Sequence, residues 1–118
     1  MSSMIKGLGI DMVSFDELTP RISEGFIERI LSSEEIKLFN KITNPERKIA
    51  FLAGRFAGKE AFVKAHQAFA EPLNFKDVSI LPNGQGAPFI QCEKVSTEGL
   101  QISISHTQSH AIAIVIRT

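Results

Sequence analysis

From Asn44 to about Phe69, short of Pro72, the chain carries one long helical pattern, with a carboxylate where an apolar residue belongs. Asn44 suits the N-cap, Pro45 the first helical position and Glu46 the positive end of the helix dipole. At about 100° per residue, Ile49, Leu52, Ala53, Phe56 and Val63 form an apolar stripe with Glu60 near its middle. A carboxylate in such a stripe is costly unless it is paired with a cation or holds a metal. Glu60 is therefore either a buried ion-pair member or a ligand. Lys48, Arg55 and Lys59 line one flank of the stripe. They read as a solvated face or as a phosphate site, with a divalent ion between Glu60 and a diphosphate. Phe51, Phe62 and Phe69 mark a further apolar side. A helix apolar on two sides is either central in its domain or covered by a partner chain. In a chain this short, the partner is the expectation.

The flanking segments set the fold class. Ile5–Val13 alternates, with Leu8, Ile10 and Met12 on one face and Gly7, Gly9 and Asp11 on the other, and predicts a strand. Short helices follow at Glu24–Leu31 and Glu34–Ile42, the second with a Ser32/Glu35 capping box. Beyond Pro72, Val78–Leu81 and Pro88–Cys92 read as strands joined by the turn-rich 82–86 segment. Leu100, Ile102 and Ile104 alternate with polar residues, while Ala111–Ile116 is apolar on both faces and predicts a buried strand. The short 106–110 connection predicts a hairpin. The expectation is one α+β domain over residues 1–118, with a mostly antiparallel sheet, one long central helix and two short helices.

Charge and cysteine content narrow the function classes. Lys+Arg and Asp+Glu balance at 13 each, so no global field points to nucleic acid or a membrane surface, and any anion recognition is local. The lone Cys92 fits a reducing compartment. No stretch reads as a signal peptide or a membrane span, and a cytoplasmic location is expected.

Two further groups carry chemistry. Asp11 sits on the glycine face of the first strand, where a missing side chain permits close approach by a helix or a ligand. Alone it reads as a strand-end residue. With Glu60 it supplies two oxygen ligands, too few for a calcium cage and suited to Mg²⁺, which keeps waters and takes phosphate oxygens. No Cys/His spacing resembles a zinc site. Ser103-Ile104-Ser105-His106-Thr107 closes a strand. Its hydroxyls and imidazole suit phosphate or ribose contacts, or simply a polar turn. No nucleophile elbow accompanies them, which sets a hydrolase triad aside.

Gly9-Ile10-Asp11-Met12-Val13, the run Leu52-Ala53-Gly54-Arg55-Phe56-Ala57-Gly58-Lys59-Glu60-Ala61-Phe62-Val63-Lys64-Ala65 and the Ser103–Thr107 segment together resemble the acyl-carrier-protein synthase family of phosphopantetheinyl transferases. The resemblance implies Mg²⁺-dependent transfer of 4′-phosphopantetheine from coenzyme A to a serine of apo-acyl carrier protein, in fatty acid biosynthesis, releasing adenosine 3′,5′-bisphosphate. It implies that Asp11 and Glu60 hold the ion and that Glu60 and Lys64 are catalytic. Arg55, Lys59, Ser103, His106 and Thr107 would contact the coenzyme. It also implies a homotrimer with sites in the clefts between subunits, and carrier docking on the first helix through Phe26, Ile27 and Arg29. The chain departs from the family pattern at Asp16 and Glu17, where basic residues are usual, leaving Arg21 and Arg29 for an acidic partner. Further departures are the 66–72 loop, usually glycine-rich, and Gly58, where Ala is usual. Two rivals remain at this point: a coenzyme-binding module without transfer activity, and a structural trimer in which Glu60 is merely ion-paired.

Overall fold

The longest element is a 21-residue helix, α4 (Pro45–Ala65), and the other elements pack around it. Asn44 caps it, its side chain accepting from the Arg47 amide at 3.0 Å, and Pro45 enters at the first turn. The computed structural model describes residues 4–66, 69 and 73–118. Met1–Ser3 and most of the atypical 66–72 loop lie outside the described residues. Helix α4 stops at Ala65, four residues short of Phe69, because His66 adopts an extended backbone and its amide turns back to the Val63 carbonyl.

Strand β1 (Gly7–Ser14) leads into the short helix α1 (Phe15–Leu18), a 3₁₀ turn (Thr19–Arg21), α2 (Glu24–Ile30) and α3 (Ser33–Lys41). The predicted Ser32/Glu35 capping box is present on α3. After α4 come a 3₁₀ turn (Phe75–Asp77), β2 (Val78–Pro82), β3 (Pro88–Cys92), β4 (Leu100–His106) and β5 (His110–Arg117). Strands β1, β5 and β4 form an antiparallel sheet in that order, and β2 and β3 form a separate hairpin. This is the expected α+β architecture.

The expectation that a partner chain covers the second apolar side of α4 is overturned. Phe62 is fully buried within its own chain, packed with Ala57, Ala61, Val78, Ile80, Ala113 and Val115. On the other side, Leu52 and Ala53 join Leu18, Phe26, Leu31 and Phe39. The helix is central because the sheet takes one side of it and α1–α3 take another. The exposed apolar surface lies instead on the sheet. Leu8, Ile10, Met12 and Ile112 are 57%, 53%, 63% and 39% exposed on its outer face. Strand β5 is therefore central in the sheet but covered on one face only.

Glycine decides how closely sheet and helix meet. A Cβ on Gly9 would overlap the Ala61 carbonyl oxygen, and one on Gly7 would overlap that of Ala65. Of the two close approaches open to this glycine face, the helix makes it. Gly58 also has a packing reason: an added Cβ would lie 2.6 Å from Ile80 Cδ1.

One ion pair crosses the interior. Lys59 and Glu35 are both fully buried and joined by a short salt bridge. Lys59 Nζ also donates to the Ile30 carbonyl at 2.6 Å and the Phe75 carbonyl at 3.0 Å. Glu35 accepts from the Ser32 and Ile80 amides, each at 2.8 Å. Removing one partner strands the other charge in the core. Lys59→Met is expected to lower unfolding free energy by about 3–5 kcal/mol, measurable by urea denaturation.

Candidate active site

Asp11 stands at the middle of β1, paired with Ala113, on the face that meets α4. Lys64, in the last turn of α4, donates to the Ile10 carbonyl at 3.0 Å and to Asp11 Oδ1 at 3.2 Å. Glu60 lies one turn earlier on the same helix face and is half-buried. Burial, then the neighbouring Asp11 charge, push the Glu60 carboxyl above the usual carboxylate range; Lys64 and Arg21 oppose them. Among the described residues Glu60 forms no salt bridge; the pairs present are Lys59–Glu35, Lys64–Asp11 and Lys94–Asp77. Within one chain, the ion-pair branch finds no partner for Glu60 among the described residues. Two carboxylates are held together with one cation, and that cation hydrogen-bonds Asp11.

The basic flank of α4 is not part of this group. Lys48 Nζ lies 4.2 Å from the Phe39 ring centroid, and Arg55 Cζ lies 3.9 Å from that of Phe51. Arg55 Nε donates to the Ile80 carbonyl at 3.2 Å, and burial lowers its pKa. Lys59 is the buried partner of Glu35, and burial holds its pKa below the ordinary lysine value. Within one chain the row turns inward and ties α4 to α3 and β2, with Lys59 enclosed and Lys48 and Arg55 half-buried. The carrier-docking expectation changes too. Phe26 is buried, edge-on to Phe56 at 5.8 Å, leaving Ile27 half-buried and Arg29 exposed on α2.

His106 and Thr107 lie at the turn between β4 and β5. Thr107 Oγ1 accepts from the Ser109 and His110 amides at 3.2 and 3.1 Å, and the Ser109 carbonyl accepts from the Phe15 amide at 2.9 Å. The turn is thereby pinned to the end of β1. It forms one wall of a cavity of about 810 Å³, lined in part by Phe15, Asp16, Glu46, Arg47, His106 and Thr107. Ser103 is separate: it pairs with Ile114 on the exposed outer face, opposite the face that carries Asp11. Within one chain, Ser103 does not join the acids.

Arg21, Glu46 and Arg47 were not singled out as site residues from sequence. Arg21 Cζ lies 5.3 and 5.4 Å from the Phe26 and Phe56 ring centroids, on the side of α4 from which it acts on Glu60. The start signal at Asn44 placed Glu46 and Arg47 in a first turn. It gave no sign that this turn faces His106.

Residues 7–115 match the model of the 4′-phosphopantetheinyl transferase superfamily. The chain belongs to that superfamily. Similar to this phosphopantetheinyl transferase is a holo-[acyl-carrier-protein] synthase of Listeria monocytogenes, 44% identical over 116 residues, covering 96% of this chain and 98% of the relative. The crystal structure of a Bacillus anthracis holo-(acyl-carrier-protein) synthase, in complex with CoA (3′,5′-ADP), superposes with a TM-score of 0.83 at 33% identity. That match covers 97% of this chain and 96% of the other. A Helicobacter pylori synthase in complex with coenzyme A gives a TM-score of 0.74 at 34% identity, over 92% of this chain and 96% of the other.

The acid pair gives the transferase a pH signature. The folded state holds the Glu60 proton more tightly than the unfolded chain, so stability falls as pH rises from the ordinary carboxylate value through the raised one. Glu60→Gln is expected to remove that slope and raise the melting temperature at neutral pH. Thermal unfolding across pH, without divalent ions, checks this.

Proposed function

We infer that this chain moves the 4′-phosphopantetheine group of coenzyme A onto a serine of an apo-acyl carrier protein, with Mg²⁺ at Asp11 and Glu60. The observation that carries the reading is Glu60, a half-buried carboxylate beside Asp11 without a salt-bridge partner among the described residues. Two facing carboxylates are the donor set that suits a hard divalent ion. Among the described residues no group of three or more His, Cys, Asp and Glu exists, so the remaining positions would fall to waters and substrate phosphates. When bound, the ion would neutralise charge on the diphosphate.

The reaction is a displacement at the β-phosphorus. The carrier serine oxygen forms the new P–O bond, the bond to the bridging oxygen breaks, and adenosine 3′,5′-bisphosphate leaves. Lys64, held by Asp11 and the Ile10 carbonyl, is placed to donate to the phosphoryl oxygens as charge develops. The serine proton would pass to Glu60 or to a water held by the ion, or leave without a strong base. The cavity at the start of α4 would take the nucleotide end, with His106 and Thr107 on its wall. The reading places this chemistry in the cytoplasm, alongside fatty acid synthesis.

The reading includes a homotrimer. The exposed apolar face of the sheet supports contact between copies through Leu8, Ile10 and Met12. Such contact would also bring Ser103, which shares that face, toward a neighbour's site. Ile10→Glu is expected to shift the assembly to monomer in analytical ultracentrifugation and to abolish transfer.

Mass spectrometry of an apo carrier protein incubated with coenzyme A and Mg²⁺ tests the whole reading. Covalent gain of the phosphopantetheine mass is expected from the native protein. Glu60→Gln is expected to lower the rate by at least about a hundredfold, the scale of a lost acid–base group, while the protein stays folded. Unmodified carrier with the native protein would refute the reading.

A further inference from the structure

The turn between β2 and β3 holds a reactive arrangement built from its own main chain. Of the four asparagines in the chain, Asn40 precedes Lys41, Asn44 precedes Pro45 and Asn74 precedes Phe75. Asn83 precedes Gly84, which is exposed, and a Cβ added there would meet nothing within 4 Å. An asparagine side chain can be attacked at Cγ by the backbone nitrogen of the residue that follows it. A glycine leaves that approach open, a side chain crowds it, and a proline has no N–H to lose.

The fold supplies the remaining parts. Asn83 Oδ1 accepts from the Gln85 amide at 2.8 Å and from the Ala87 amide at 3.0 Å. To reach the amide two residues on, the side chain folds back over the intervening Gly84 peptide. Attack by Gly84 N makes Cγ tetrahedral and puts negative charge on Oδ1, the atom at which two N–H donors already point. The nucleophile, Gly84 N–H, and the leaving group, Asn83 Nδ2, hydrogen-bond to nothing among the described residues. Main-chain bonds from Asn83 N–H to the Ala87 carbonyl at 2.8 Å and from Gly86 N–H to the Asn83 carbonyl at 3.0 Å close the turn and keep the donors in place. The hairpin is separate from the β1–β5–β4 sheet, whose outer face is the one expected to meet other copies. The chemistry needs this chain and water alone.

We propose that Asn83–Gly84 is a self-modifying site, where the folded turn speeds conversion of the Asn83 amide to a carboxylate. Gly84 N bonds to Cγ, the Cγ–Nδ2 bond breaks, and the Gly84 amide proton passes through solvent to the departing nitrogen, which leaves as ammonia. The product is a five-membered cyclic imide. Water then adds its hydroxyl to one imide carbonyl carbon, the bond from that carbon to nitrogen breaks, and the nitrogen regains a proton. Opening at Cγ gives aspartate at position 83; opening at the main-chain carbonyl carbon gives isoaspartate and lengthens the backbone of the turn by one methylene. Either product adds one negative charge to a chain whose charges balance at 13 each. No step involves coenzyme, carrier protein or metal.

The test ages the native protein beside a synthetic peptide of residues 80–90 in the same mildly alkaline buffer. Peptide mapping by mass spectrometry locates the amide-to-acid change, and isoelectric focusing follows the charge. Asn83 in the native protein is expected to be lost about two- to tenfold faster than in the peptide, the factor that one net hydrogen bond contributes. Asn40, Asn44 and Asn74 should stay intact over the same period. Gly84→Ala should bring the loss at Asn83 down toward that at Asn74, whose following residue also carries a side chain. Gly84 does not have a positive φ, so alanine suits its backbone, and circular dichroism checks that the variant folds. Loss at Asn83 no faster than in the peptide overturns the proposal. Loss unchanged by Gly84→Ala also overturns it.

Discussion

A lysine and a glutamate buried against each other hold the architecture together. The Lys59–Glu35 pair is fully enclosed, and its hydrogen bonds reach the end of α2, the start of α3, the 3₁₀ turn before β2 and the β2 backbone. Desolvating two charges is expensive, and their attraction offsets that cost only if every remaining donor and acceptor is satisfied. Here no buried side-chain polar atom among the described residues lacks a partner. The pair therefore acts less as a source of stability than as a constraint on geometry. An arrangement that moved α3, α4 or β2 would leave a charge or an amide stranded. It also fixes the rotation of α4, and with it which helix residues face β1.

That rotation separates two neighbours. Lys59 and Glu60 are adjacent in sequence, yet one lies in the core and the other half-buried beside Asp11. Periodicity expected the reverse: Glu60 sat in the apolar stripe and Lys59 in a basic row. The pattern misled because α4 is packed on two sides and has no single polar face. The residue that makes Lys59 tolerable inside, Glu35, comes from another helix. Glu35 was recognised as a capping residue, which it is, but a local motif gives no sign of a second, distant role.

Other parts were legible because their causes are local. The caps of α3 and α4, the alternation of β1 and the β4–β5 hairpin each follow from a few adjacent residues, and the structure has all of them. The Asp11–Glu60 pair could be anticipated, since glycine alternation and a misplaced acid both point inward. The cavity could not. Its walls come from α1, the first turn of α4 and the β4–β5 turn, segments that share no periodicity and meet only once the Phe15 amide reaches the Ser109 carbonyl. Asp16, which read as a departure in the carrier-docking stretch, also lines that cavity.

The bare face of β1 has a consequence for how the enzyme can vary. Gly7 and Gly9 bring the strand against the carbonyl oxygens of α4, so main-chain contact rather than side-chain packing sets the separation between strand and helix. Asp11 rides on that strand and Glu60 on that helix. The gap between the two acids is thus gauged by the absence of two side chains. Drift in the surrounding core can change stability without opening the gap, whereas one methyl group at Gly9 would pry it apart. Positions with no functional group therefore set the spacing of the two acids, and sequence change in this enzyme is freest where it leaves them bare.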